Sequence, residues 1–177
     1  MTRGGKRIEM GRMSGAMPAR IENDEAGMRL AIRAALAGVA EGQSPFGCCI
    51  ARDGEVLAVS GNRVWEEQDA TAHAEVNAIR QASRRLGSFD LSGSTMYSTC
   101  EPCPMCYTAA HWARIARIVY GATIRDAAEA GFNELAIGAG KMKELSGDGV
   151  ELVPGLLAEE CRNAFRTWQR LGRGRPY

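Results

Sequence analysis

The sequence contains no long apolar run and almost no net charge. Of its 177 residues 45% are hydrophobic, yet no stretch approaches the roughly 20 consecutive apolar residues that cross a bilayer. The formal net charge of +1 gives the chain no general attraction for nucleic acid or for membrane surfaces. Length and composition instead predict a soluble globular protein with one domain and a substantial core.

Cysteine is also sparse, which excludes a small scaffold held together by disulfides. Six cysteines are spread over the 177 residues, and the adjacent pair Cys48-Cys49 lies in an apolar run typical of a core strand. Reduced thiols and a cytoplasmic location are therefore expected.

The N-terminal residues lack the continuous apolar stretch of a secretory signal, although they contain several arginines among glycines and methionines. We predict a flexible N-terminal tail over residues 1–20 and a single catalytic domain over residues 21–177.

Two short motifs supply three metal-binding side chains and one further carboxylate. The first is His73-Ala74-Glu75, and the second is Pro102-Cys103-Pro104-Met105-Cys106. Zinc takes imidazole nitrogen and thiolate sulfur, and a catalytic zinc site has three protein ligands with a fourth position open for water. His73, Cys103 and Cys106 are thus predicted to hold one Zn²⁺ per chain, and Glu75 is the predicted general acid and base for an acidified water.

The local sequence predicts a helix beginning at each motif. Pro102 and Pro104 are typical of a helix start, and two cysteines three positions apart lie on one face of a first turn. The partial positive charge of a helix N-terminus favours the thiolate that a metal requires. Two helix ends are expected to converge on the metal.

A fourth cysteine leaves an alternative open. Cys100 lies three residues before Cys103, so it is a candidate fourth ligand of a closed, structural zinc site. The chain would then be a structural or binding module and not an enzyme. That interpretation leaves Glu75 without a role.

Strand and helix patterns alternate along the chain. The predicted elements are a helix over 21–40, strands over 46–52 and 55–60, a helix over 71–86, a strand over 95–98, a helix ending near 114, a strand over 117–120, a mostly helical stretch over 127–145 interrupted near Gly138-Ala139-Gly140, a strand over 151–153 and a helix over 156–171. Helices that return the chain between strands make the later strands parallel. This order predicts an α/β fold, a three-layer α/β/α sandwich around a mixed sheet of about five strands.

The motifs resemble those of the cytidine deaminase superfamily of zinc-dependent nucleobase and nucleoside deaminases. The likeness covers the runs 69–80 and 99–106 and extends over most of residues 21–177. Within the superfamily the chain most resembles the guanine deaminase branch, through Gly61-Asn62-Arg63-Val64, the run 126–132 and a terminal tyrosine. One departure is Asn133-Glu134, where that branch usually carries two carboxylates.

The resemblance implies a set of substrate-binding residues and an assembly. Asn62 matches an asparagine that hydrogen-bonds the base, and Glu134 matches the second carboxylate, which contacts the purine. Tyr177 matches a terminal tyrosine that enters a neighbouring active site when C-terminal segments are exchanged, so a homodimer is expected. The expected substrate-binding set is Asn62, Glu134, Tyr177, Phe46 and Ala74, with Phe46, like Trp65, Phe132 and Trp168, a candidate to stack on a flat ring.

The expected reaction is hydrolytic deamination of a small nucleobase or nucleoside, with guanine converted to xanthine and ammonia. A tRNA adenosine, free cytosine or another nucleoside is an alternative substrate for the same zinc chemistry. The basic C-terminal residues Arg166, Arg170, Arg173 and Arg175 keep an RNA substrate in view, although the near-neutral total charge argues against it. No membrane partner is expected.

Overall fold

The structure, a computed structural model, describes residues 20–172 and 175–176. The predicted tail therefore lies outside the described residues except for its last member. Arg20 pairs with Glu55 through an isolated β-bridge, and its guanidinium donates to the carbonyl of Asp53 at 2.6 Å. These contacts hold Arg20 against a turn of the sheet.

The described residues form seven helices and five strands. The helices are α1 (Asp24–Ala40), α2 (Val64–Glu67), α3 (Ala74–Leu86), α4 (Pro104–Trp112), α5 (Ile124–Glu129), α6 (Ala139–Ser146) and α7 (Ala158–Leu171). The strands are β1 (Gly47–Arg52), β2 (Glu55–Gly61), β3 (Ser94–Cys100), β4 (Arg117–Ala122) and β5 (Glu151–Pro154).

The five strands form one mixed sheet in the order β2-β1-β3-β4-β5. Strand β1 is antiparallel to both β2 and β3, whereas β3, β4 and β5 are parallel. The β1–β2 hairpin turns at Asp53 and Gly54, which have φ of 51° and 76°, as a tight hairpin turn requires. The predicted mixed sheet and its parallel later strands are confirmed.

Helices cover both faces of the sheet. Helices α1 and α7 contact each other and the sheet, and α3 packs on the sheet and contacts α4. At Gly47 a Cβ atom would overlap the carbonyl oxygen of Ala31, so α1 crosses β1 at a distance that only glycine permits. The three-layer α/β/α fold is confirmed. Within the described residues, none of the helices combines the length and the apolar character needed to cross a bilayer.

The mostly helical stretch predicted over residues 127–145 is wrong in its middle. Helix α5 ends at Glu129 and α6 begins at Ala139, and residues 130–138 form neither helix nor strand. Gly131 adopts a φ of 103°, which a helix does not continue through. The expected break near Gly138-Ala139-Gly140 is instead the start of α6. The short helix α2 was not predicted, and α3 begins at Ala74 and not at Thr71.

Candidate active site

The N-termini of α3 and α4 meet at one corner of the molecule, beside the carboxyl end of β3. His73 immediately precedes α3, Cys103 immediately precedes α4, and Cys106 lies in the first turn of α4. His73 and Cys103 have extended backbones, with ψ of 154° and 167°, so their side chains leave the chain just before the helices start. The predicted convergence of two helix ends is present.

The three candidate ligand atoms have the spacing of a tetrahedral zinc site. Nδ1 of His73 lies 3.8 Å from Sγ of Cys103 and 3.5 Å from Sγ of Cys106. Zinc bonds of about 2.1 Å to nitrogen and 2.3 Å to sulfur at tetrahedral angles place such atoms roughly 3.6 Å apart. All three ligand atoms lie within 4.8 Å of one another, so the residues fit the ion.

The two thiols share hydrogen bonds that prepare one of them to lose its proton. Hydrogen bonding from Cys106 lowers the pKa of Cys103 to about 4, even though partial burial acts in the opposite direction. The pKa of Cys106 is raised, by its hydrogen bond with Cys103 and by burial. Cysteine binds a metal ion as the thiolate, so a cation that binds here displaces the remaining proton. The affinity of the site for the cation therefore rises with pH.

Glu75 lies beside the cluster but outside it. Its carboxylate is buried, with Oε1 accepting a hydrogen bond from the Ser98 hydroxyl at 2.9 Å and Oε2 lying 3.4 Å from Sγ of Cys106. Burial raises the pKa of Glu75 above its ordinary value, and a bound cation would act in the opposite direction. Glu75 is therefore not among the three candidate ligands, although its carboxylate lies directly beside one of them.

Cys100 does not join the three candidate ligands. Its thiol donates to the carbonyl of Thr123 at 3.3 Å, and burial raises its pKa well above the ordinary value. Within the described part of the chain, the metal-binding group contains His73, Cys103 and Cys106 alone. The alternative of a closed site completed by Cys100 lacks the geometry it requires.

A pocket opens over this corner. It is lined by Phe46, His73, Glu75, Cys100, Glu101, Cys103 and Glu134. Glu134 comes from the segment 130–138, and burial raises its pKa to about 7, with the negative charge of Cys103 acting in the same direction. Two of the predicted substrate-binding residues, Phe46 and Glu134, thus line the same pocket as the candidate catalytic carboxylate.

Asn62 and Ala74 are buried nearby but do not line this pocket. Asn62 directly follows β2 and is 1% exposed, and its Oδ1 accepts a hydrogen bond from the backbone of Val64 at 3.1 Å. Ala74 is fully buried at the first position of α3, between His73 and Glu75. Tyr177 lies outside the described residues.

The other aromatic candidates do not line the pocket. Phe46 packs edge-on against Phe132 at 4.8 Å and Phe165 at 5.6 Å, and Phe132 stacks at a tilt on Trp168 at 4.9 Å. Phe132, Phe165 and Trp168 belong to the hydrophobic core. Trp65 is 36% exposed, and its indole donates to the carbonyl of Arg175.

Two residues of the site were not identified from the sequence. Ser98 holds Glu75, and its only sequence signal is a hydroxyl in a strand whose neighbours are nearly all buried. Glu101 is part of the cysteine motif, but its contacts join segments distant in sequence, to the amides of Ile124 and Ala139. No local pattern reports such contacts.

The fold and this three-ligand corner define a class: the chain is a hydrolytic deaminase of the zinc-binding type, which acts on carbon–nitrogen bonds. The model of the family described as "Cytidine and deoxycytidylate deaminase zinc-binding region" matches residues 21–122. That range includes His73, Glu75, Cys103 and Cys106. The chain belongs to this family.

Relatives within the family act on different substrates. The chain is 45% identical over 113 residues to guanine deaminase from Bacillus subtilis, covering 63% of this chain and 72% of that protein. It is 33% identical over 164 residues to a tRNA-specific adenosine deaminase from Streptococcus pyogenes, covering 90% of this chain and 98% of that protein. A solved guanine deaminase from Nitrosomonas europaea superposes with a TM-score of 0.81 over 96% of this chain and 100% of that one; at 24% identity this likeness shows the fold alone. The reaction class is common to these relatives and the substrate is not.

Proposed function

We propose that the protein deaminates a free purine base of the guanine type, converting guanine and water to xanthine and ammonia. The observation that carries the proposal is the carboxyl group of Glu134 in the pocket that also contains His73 and Glu75. The similarity to the Bacillus guanine deaminase supports the same substrate class.

A carboxylate in the pocket favours a free base because free guanine has ring N–H groups to donate to it. A purine within tRNA has its sugar on N9, so that N–H is absent. The ring of adenosine then contains acceptors but no N–H donor, so the ionised form of Glu134 is left without a partner. An unpaired buried acceptor costs about 1–3 kcal/mol, and more when it is charged.

The chemistry divides between a metal and a carboxylate. A zinc ion held by His73, Cys103 and Cys106 would lower the pKa of a bound water molecule to about 7. Glu75 accepts a proton from that water and delivers it to the ring nitrogen beside the amine-bearing carbon, which makes that carbon more electrophilic. Glu75 then takes the proton of the hydroxyl group that has added to this carbon and delivers it to the amine, so that the C=O bond forms as the C–N bond breaks and ammonia leaves. Ser98 holds the carboxylate in place through these transfers.

The remaining predicted contacts orient the base. We assign Asn62 to a hydrogen bond with the base edge and Phe46 to one wall of the binding site. Ala74, at the start of α3, completes the proposed set. Tyr177 remains a predicted contact, supplied by a neighbouring subunit.

The wider organisation is part of the same proposal. Residues 21–177 form one deaminase domain that holds one zinc ion per chain. Two chains form a homodimer with exchanged C-terminal segments, as the resemblance to guanine deaminases suggests, and the protein acts in the cytoplasm. Six free thiols are consistent with a reducing compartment.

A tRNA adenosine is the second candidate, favoured by the relative that matches 90% of the chain. The contacts of the basic C-terminal residues argue against this candidate. Arg166 pairs with Glu159 at 2.6 Å, Arg170 donates to Thr167, and Arg173 lies outside the described residues. Part of the positive charge that would meet phosphate is therefore already paired.

The test is ammonia release by the zinc-loaded protein from guanine, guanosine, adenine, cytosine, cytidine and a tRNA anticodon stem-loop. We expect guanine to have the highest kcat/KM, with little dependence on salt. Inert guanine beside a rapidly converted stem-loop, with kcat/KM falling steeply as salt rises, would replace the proposal with the tRNA reaction.

A further inference from the structure

Glu101 connects the metal motif to the segment that carries Glu134. It follows the last residue of β3 and comes two residues before Cys103. Its own amide donates to the carbonyl of Ala122, at the end of β4, at 2.8 Å. Its backbone is therefore fixed to the sheet, and its side chain lines the pocket.

The two oxygens of this carboxylate bind two different helix starts. Oε1 accepts from the amide of Ala139, the first residue of α6, at 2.8 Å, and Oε2 accepts from the amide of Ile124, the first residue of α5, at 3.2 Å. First-turn amides have no partner within their own helix. Helix α6 has no capping side chain of its own, so Glu101 supplies its cap from a distant part of the chain.

The close approach at Gly138 gives an independent sign of the same contact. A Cβ atom built on Gly138 would lie 2.7 Å from Oε1 of Glu101. Any other residue here would push the carboxylate away from the start of α6. The glycine and the glutamate therefore form one fitted contact.

Helix α5 and the segment 130–138 that follows it lie between these two helix starts, so Glu101 holds the segment through α5 on one side and through α6 on the other. The segment 130–138 contains Phe132, which packs on Phe46, and Glu134, which lines the pocket. Beyond Phe132, the one backbone hydrogen bond described inside the segment joins Ile137 to Leu135 at 2.7 Å. The position of Glu134 is therefore set mainly by where the ends of the segment are held.

We propose that Glu101 is a positioning residue for substrate selection: it fixes the 130–138 segment relative to the metal motif and acts on the base through Glu134. The inference rests on the proposed function for the role of Glu134 as a base contact. Displacement of a contact by about 1 Å is enough to change rates strongly. The metal ligands take no part in the effect.

The experiment is a double-mutant cycle with Glu101→Gln, Glu134→Gln and the double variant, measured on the best wild-type substrate of the base panel. A glutamine at 101 retains one acceptor and turns an N–H₂ group toward the second amide. We expect each single change to raise KM roughly tenfold with kcat within about threefold and zinc content unchanged. The double variant should be no worse than the poorer single variant, because both changes remove the same contact.

Two further variants separate positioning from general damage. Gly138→Ala presses on the same carboxylate from the opposite side and should reproduce the rise in KM. Glu129→Gln removes an exposed carboxylate of α5 that pairs with Arg125 outside the pocket and should change nothing. KM effects that multiply to about a hundredfold in the double variant would overturn the proposal. Loss of zinc, or loss of kcat alone, in Glu101→Gln would also overturn it.

Hydrogen exchange gives a readout that does not depend on turnover. In Glu101→Gln the amides of Ile124 and Ala139, and those of residues 130–138, should exchange faster than in the wild type, and the first turn of α4 should not change. Unchanged exchange in the segment contradicts the positioning role, whichever substrate the enzyme prefers. If guanine is inert but the double-mutant cycle remains non-additive on another base, only the proposed substrate is wrong and the positioning role of Glu101 stands.

Discussion

The two sides of the pocket are built in different ways. The corner with His73, Cys103 and Cys106 consists of the starts of α3 and α4 beside the carboxyl end of β3, and the carboxylate of Glu75 is held there by a strand residue, Ser98. The opposite wall is the 130–138 segment, without helix or strand, held at its ends. Rigid elements thus carry the candidate metal ligands and Glu75, and a connecting segment carries Glu134, one of the proposed contacts with the base.

Under the proposed function, this difference separates the part of the site that performs the reaction from the part that selects the substrate. The family motif and its three ligands lie within residues 21–122, and Glu134 lies beyond them. A change in the connecting segment alters the wall without moving the metal corner. Function within one fold is set by such local sites.

The largest effect is expected from removing a metal ligand. His73→Ala should lower zinc content below one per chain and lower ammonia release by more than about a thousandfold, because the metal supplies several kcal/mol of charge stabilisation. Metal analysis and an ammonia assay measure both effects. The matched control is His111→Ala, since that exposed histidine pairs with Asp148 at 2.7 Å away from the corner. A comparable loss of zinc in both variants would contradict the assigned ligand set.

A smaller effect is expected from removing the hydrogen bond that Ser98 donates to Glu75. Ser98→Ala removes a hydrogen bond to Glu75, and bonds to charged groups contribute about 1.5–3 kcal/mol, so kcat should fall roughly tenfold or more. KM and zinc content should stay near their wild-type values. Steady-state kinetics on the preferred base measures kcat and KM separately.

The control for that change lies on the same strand. Ser94 is fully buried on β3, and its hydroxyl has no hydrogen-bond partner in the part of the chain that is described. Ser94→Ala should leave kcat unchanged. Equal loss in the two variants would indicate a general effect on β3.

Substitutions at Asn62 test its proposed hydrogen bond to the base. Asn62→Ala should lower kcat/KM several-fold, consistent with loss of one neutral hydrogen bond of about 1 kcal/mol, and should also lower the melting temperature because the amide of Val64 loses its acceptor. Asn62→Ser retains an acceptor that can reach that amide across the turn but cannot reach the base. Serine should therefore recover stability without recovering kcat/KM. Recovery of both would make Asn62 a purely structural residue.

The smallest effect on activity is expected at the opposite ends of the strands. Asp24 accepts two hydrogen bonds from Arg117 at 2.8 Å and one from Tyr97 at 3.0 Å. The bonds from Arg117 lower the pKa of Asp24, so its stabilising contribution is present above the unfolded value of about 4 and is lost as pH falls through the folded value. Asp24→Asn should cost about 1 kcal/mol of unfolding free energy near pH 7.

Unfolding titrations at several pH values check this prediction. The difference between wild type and variant should shrink toward zero as pH falls below 4, and kcat should not change at neutral pH. A cost that persists at pH 2 would mean that packing, and not the ion pair, is lost.

The sequence predicted the metal corner better than the wall, for a physical reason. A helix start, a proline and two cysteines three positions apart are local features, so His73, Cys103 and Cys106 were assigned together. Glu101 acts through hydrogen bonds to residues 23 and 38 positions away, and neither side of those contacts has a distinctive pattern. The helix expected across 130–138 failed similarly, because Gly131 and the packing of Phe132 override a helical composition.

The sheet was predicted from strand patterning and the Asp53-Gly54 turn, and the parallel direction of its later strands from the helical connections. The short helix α2 has four residues and no periodicity to detect. The role of Ser98 depends on which buried side chain faces it across the layers, which alternation along β3 does not specify.

The most direct test of the whole account is Glu75→Gln, with zinc stoichiometry and ammonia release measured on the same sample. The account predicts one zinc per chain, as in the wild type, and ammonia release reduced by at least about a thousandfold for every base in the panel. Loss of the metal would make Glu75 a ligand, and retained turnover would remove it from the proton transfers; either result contradicts the central claim.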